Sequence, residues 1–138
     1  MHLEIDIKTY LKTAFNIGFV LVESKDMGMS EYCILEYPIL KLEITHDRFD
    51  YFALIRYENE GFDLIHLANY INNNSNYEFF KFGFETREID GKKYLQQIDT
   101  ILKLEFDKIL GFLFNMNASA KNNFFKYCEA ENSKERDW

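Results

Sequence analysis

Glycine is scarce in this chain. Six residues of 138 are glycine, and they are scattered. They form neither G-x-G-x-x-G nor G-x-x-x-x-G-K, so no phosphate-cradling loop of either kind is present. Cysteine is scarcer still. Cys33 and Cys128 are the two cysteines, and they form no metal-like pair. Cys33 falls within a strand pattern and reads as a small buried hydrophobe. Without a disulfide framework, a leader segment or an apolar run of membrane-spanning length, the expected home is the reducing cytoplasm.

Histidines are few as well: His2, His46 and His66, with no H-x-x-x-H spacing. His66 reads as facing away from the apolar stripe of a short helix. His46-Asp47 alone sets an imidazole beside a carboxylate in sequence, and Asp50 follows closely. A general base would need a third partner and a cleft, so a solvated turn is the simpler reading. No G-x-S-x-G surrounds a serine. These absences point away from an enzyme and name no catalytic residue, cofactor or metal ligand.

Positive charge is the last shortage. Sixteen Lys and Arg stand against 23 Asp and Glu, for a net charge of −7. Binding nucleic acid needs cations to neutralise phosphates, so no nucleic acid is expected as a direct ligand. An anionic membrane surface is disfavoured for the same reason. Acidity suits solubility, or a basic protein partner. Lys outnumbers Arg twelve to four and Asn and Ile are abundant, a bias common in AT-rich bacterial genomes.

What the chain does have is aromatic and alternating apolar sequence. Fourteen Phe and nine Tyr make an aromatic-rich core. The organising stretch runs from Tyr32 to Tyr57. Leu40, Leu42 and Ile44 alternate with Lys41, Glu43 and Thr45, which describes a strand with one buried and one wet face. Phe49, Tyr51, Ala53, Ile55 and Tyr57 alternate against Phe52 and Leu54, apolar on both faces, as in a strand covered on both sides. Pro38 marks the boundary between two strands.

In chain order, the sequence predicts a helix over 3–16, strands over 19–23, 31–37, 39–46 and 49–58, and a hairpin loop over 24–30. The meander ends at Asn59-Glu60-Gly61. A short helix over 62–71 follows, then an Asn-rich loop. The run 77–85 fits a strand or an aromatic plug, and 86–91 a turn. Residues 92–115 form the clearest helix, with a final I-L-G-F-L-F apolar nearly all round. Ser119 is a candidate cap for a last short helix. The expected fold class is α+β: an antiparallel four- to five-stranded meander with an N-terminal helix, and two or three helices packed mainly on one face. Residues 1–128 form one domain, and 129–138 a charged, fraying tail.

Acidic residues and tyrosines interleave along the strands. Glu36, Glu43, Asp47, Asp50, Tyr37 and Tyr51 are the candidate partner-binding residues, because aromatic anchors amid carboxylates suit a basic protein. The bland alternative is a solvated sheet face with ordinary core tyrosines.

Residues 1–71 carry a resemblance. A leading helix, then G-F-V-L-V-E, a meander ending in D-R-F-D-Y-F-A-L-I, and F-D-L-I-H-L-A-N-Y-I resemble small bacterial α+β proteins similar to immunity proteins of polymorphic toxin systems. The resemblance implies no catalysis and a tight complex with one cognate toxin, often a basic nuclease. It carries over no functional residue. The expected function is therefore a non-catalytic protein-binding module, immunity- or antitoxin-like, that occludes a basic partner. The alternative is a small-ligand-binding protein or unfamiliar enzyme with a pocket between helices and sheet.

Overall fold

A computed structural model describes residues 2–48, 50–74, 76–78 and 87–136; the side chains of 87–90 and of 135–136 are not among what it describes. The fold is α+β. Five antiparallel strands follow one another in the sheet in sequence order. They are β1 (Val20–Asp26), β2 (Ser30–Tyr37), β3 (Leu40–Asp47), β4 (Asp50–Tyr57) and β5 (Glu60–Asp63). Among the described residues five helices accompany them: α1 (His2–Tyr10), α2 (Lys12–Ile17), α3 (Leu64–Ile71), α4 (Arg87–Asn115) and α5 (Ala118–Arg136).

Alternation along β3 does what its sequence predicts. Leu40, Leu42 and Ile44 are buried, while Lys41 is exposed. Across the sheet Cys33, Leu35, Ala53, Ile55 and Phe62 join them in one core. Helix α4 covers this face with Leu95, Ile98, Ile101, Leu102, Ile109 and Leu113, all buried. Leu3 and Ile7 of α1, Ala14 of α2 and Leu11 between them complete the layer. Phe19, Tyr37 and Phe106 pack edge to face at one end of it, with centroids 5.2–5.7 Å apart.

The structure corrects several expectations. Strand β4 is covered on one face only, and Phe52 on the other is 48% exposed. The apolar end of α4 is likewise buried along a stripe, with Phe114 exposed. The meander continues past residue 61. Glu58 and Asn59 both take positive φ, as a two-residue hairpin turn requires, and β5 returns with Phe62 stacked on Phe125 (5.6 Å, 3°). Four residues with one inward apolar side chain are too short for alternation to reveal.

The first helix is broken at Leu11. The Thr13 amide donates to Asp99 Oδ1 (2.8 Å) and its hydroxyl to Oδ2 (3.0 Å), so α4 supplies α2 with a cap. Glu31 of β2 caps α1 in the same manner, accepting from the amides of His2 and Leu3. Helix α4 starts at Arg87 and absorbs most of the expected turn. Tyr77 and Glu78 are not strand; Tyr77 is held through both its amide and its carbonyl by the Asn69 side chain. The rest of that aromatic run, 79–86, lies outside the described residues. Helix α5 is capped by Asn117, whose Oδ1 accepts from the Ala120 amide (2.8 Å), and not by Ser119. Nor does α5 stop at residue 128: it runs on to Arg136.

Gly91 brings the α4 backbone close over Tyr51 of β4. A Cβ there would sit 2.6 Å from the Tyr51 hydroxyl and 2.9 Å from its ring. Alanine in a helix interior normally stabilises by about 1 kcal/mol over glycine. Here the clash dominates, because Tyr51 is wedged between His46 and Tyr94. Gly91→Ala is expected to lower stability by about 1–3 kcal/mol in urea unfolding. For α5, Asn117→Ala should cost about 1 kcal/mol in the same assay, and Ser119→Ala close to nothing.

Candidate functional site

Both strand faces now have an owner. Helices take one, and the described residues leave the other open. Register places Glu36, Lys41, Arg56 and Gly61 in one row across that open face, beside Val20. Ile34, Glu43 and Leu54 form the next row. Charges on the face are paired. Arg56 Nε donates to Glu43 Oε2 (2.6 Å), and Lys41 lies 3.8 Å from Glu36.

The six candidate residues are therefore not brought together. Glu36 and Glu43 lie on the open face, in ion pairs. Tyr37 and Tyr51 point to the helix-covered face, Tyr37 against Phe19 and Phe106, Tyr51 against His46 (4.2 Å, 10°) and Tyr94 (5.4 Å). Alternation puts residues 36 and 37 on opposite faces, so an acidic–tyrosine patch along one strand could not form. Asp47 and Asp50 face each other across the β3–β4 turn, both exposed.

That turn has a neighbour. The β1–β2 hairpin ends on the same side of the sheet, and the Arg48 amide donates to the Met29 carbonyl (3.0 Å), tying the two tips together. Asp26, Asp47 and Asp50 are exposed at this end of the sheet, with Met27 and Met29, the latter 70% exposed. Asp26 lies in the row of Glu31, His46 and Tyr51, on the other face from Asp47 and Asp50, and its Oδ1 accepts from the Gly28 amide (2.9 Å). The Asp47 and Asp50 side chains make no hydrogen bond or ion pair with another described residue. Glu31 and Asp6 add to the negative potential. Together they help push the Tyr51 hydroxyl up to about 12, although burial is the larger cause.

The groups that sequence reading weighed for chemistry are occupied otherwise. His46 stacks on Tyr51. His66 is buried, not turned outward: its Nε2 lies 3.1 Å from Asn132 Oδ1, and its ring meets Tyr127 edge-on. Burial raises the Cys33 thiol, and it pushes the Cys128 thiol up to about 12 with a smaller contribution from Asp63. Thiols held protonated in this way are poor nucleophiles. Glu105 is 3% exposed; its Oε1 accepts from Asn72 Nδ2, and Oε2 has no hydrogen-bond partner among the described residues. Among those residues, no three His, Cys, Asp or Glu side chains gather as a metal-binding group, and no helix is long and apolar enough to cross a membrane.

One concavity lies on the side of the sheet away from the helices. It is an open groove of about 900 Å3, lined by Val20, Val22, Ile39, Lys41 and Arg56 among others. Sequence reading passed over it. The available signal was Ile39, a β-branched residue directly after Pro38 in a two-residue turn.

No protein-family model matches the chain, and neither a curated protein nor a solved structure shows significant similarity to it.

Buried phenols and thiols give the protein an alkaline limit. Tyr51 and Cys128 hold folded-state values near 12, above the roughly 10 and 9 of the unfolded chain, and Tyr94 is raised too. The unfolded state then loses protons first as pH rises, so stability is full below pH 9 and falls through the 9–12 window. Melting temperature measured across that window should decline, and Tyr51→Phe should flatten part of the decline.

Proposed function

We propose that this protein is a non-catalytic protein-binding module of the immunity or antitoxin kind, which occludes a basic protein partner with the acidic end of its sheet. One observation carries the reading. Two hairpin tips, fastened to each other, present exposed Asp26, Asp47 and Asp50 and two exposed methionines at one end of the sheet. Exposed carboxylates at such an end steer a cationic partner and speed its capture. Methionine side chains are flexible and polarisable, and they adapt to whatever apolar surface follows. Glu36 and Glu43, each beside a cation, Lys41 and Arg56, contribute little to such steering. Tyr37 and Tyr51 support the sheet behind it. A bacterial source and a cytoplasmic location belong to the same proposal, resting on composition.

The test compares the full chain with an Asp26→Lys, Asp47→Lys, Asp50→Lys variant in affinity capture from native lysate, followed by association kinetics with the recovered protein. The expected partner is basic, stoichiometric and released by salt. Reversing the three charges should slow its association by about tenfold or more, while Glu36→Gln leaves it unchanged. Equal capture by both chains would sink the acidic-end reading.

A further inference from the structure

The groove at the opposite end of the sheet is independent of that reading. Its chemistry differs from that of the rest of the molecule. Lys41 and Arg56 stand directly opposite each other on β3 and β4, both on the open face and both lining the groove. Like charges placed across a strand pair repel. In a protein of net charge −7 this is an arrangement that folding alone does not favour.

The neighbouring carboxylates do not use up these cations. Glu43 engages Arg56 through Nε alone, which orients the guanidinium and leaves both Nη groups without an acceptor among the described residues. Gly61 has no side chain to cover it; a Cβ there would approach Nη1 to 3.3 Å. Lys41 is held only loosely by Glu36, at 3.8 Å with both side chains about half exposed. Glu58, on the rim, lies against the Tyr57 hydroxyl, and with burial it raises that phenol. The groove thus offers a forked donor and an ammonium side by side, the geometry that recognises a carboxylate.

The other wall is apolar and strained. Ile39 has φ of +64° and is 68% exposed. It follows Pro38 in the turn between β2 and β3, where a glycine or asparagine would be at ease. A β-branched residue in left-handed conformation is a true outlier, and its side chain is not placed there to fill the core. It borders the groove with Val20 and Val22, which are also exposed.

We infer that this groove is a binding site for a small amphipathic carboxylate, its head between Lys41 and Arg56 and its apolar body against Val20, Val22 and Ile39. Its volume falls within the range of small-molecule sites, about 300–1,000 Å3.

The experiment is an NMR titration of the isotope-labelled full chain at pH 7 with octanoate, octan-1-ol and octylamine, each below its micellar concentration. Octanoate should shift the amides of 20–22, 36–41 and 56–59. The alcohol should bind about tenfold more weakly and octylamine not at all. Lys41→Gln and Arg56→Gln should each weaken octanoate by about tenfold. Ile39→Gly separates function from folding: it should raise the melting temperature by relieving the turn, and weaken octanoate several-fold. Three results would each overturn the assignment. One is equal binding of octylamine, another is octanoate shifts that map elsewhere or are missing at millimolar concentration, and the third is an Ile39→Gly protein that melts higher yet binds unchanged. None of these outcomes bears on capture of a basic partner by the acidic end, since the two surfaces share no residue.

Discussion

One layer of apolar side chains, between the sheet and α4, holds the molecule together. A sheet that buries a single face must take its whole core from the inward half of each strand. That half reads Cys33, Leu35, Leu40, Leu42, Ile44, Ala53, Ile55 and Phe62. The matching stripe on α4 spans residues 94–113, long enough to cross every strand that needs cover. Other features follow from this arrangement. Gly91 is small because Tyr51 must pass beneath the helix, and Tyr37 turns inward because Phe106 and Phe19 need an edge to pack on. The outward half of each strand is released from any duty to the core, which is why both proposed surfaces lie off it.

The parts of the fold that were legible in sequence are those written by periodicity. Strand β3 and most of α4 could be read residue by residue, since alternation and helical spacing persist over many positions there. The misread parts depend on partners far away along the chain. Leu11 breaks a run that looks continuous because Asp99, 86 residues further on from Thr13, caps the second segment. Glu31 likewise serves a distant element, accepting from the amides that open α1. Strand β5 escaped because four residues cannot establish a period. The candidate site was only partly legible. Composition announced the acidity, but which carboxylates stay unpaired depends on register: Glu36 and Glu43 meet cations, and Asp47 and Asp50 meet each other. His66 was misjudged for a related reason, since its hydrogen-bond partner Asn132 lay in what read as a tail.

Charge is thereby sorted along the sheet. One end concentrates carboxylates that nothing in the described structure neutralises. The other holds Lys41 and Arg56 side by side, each with a carboxylate that orients it without closing it off. With a Debye length of about 8 Å at physiological ionic strength, two such ends on one sheet act as separate electrostatic objects. Net charge describes neither of them.

The meander has a further consequence, for the order of assembly. Each strand pairs only with the strands before and after it in the chain, across turns of two or three residues. Every pairing step closes a short loop, so the sheet can zip up one hairpin at a time at small entropic cost. Docking α4 is another matter, because the Thr13–Asp99 bond joins segments at opposite ends of the chain. Placing that helix closes a far longer loop than any hairpin does, so the aliphatic face of the sheet gains its cover at the larger entropic cost.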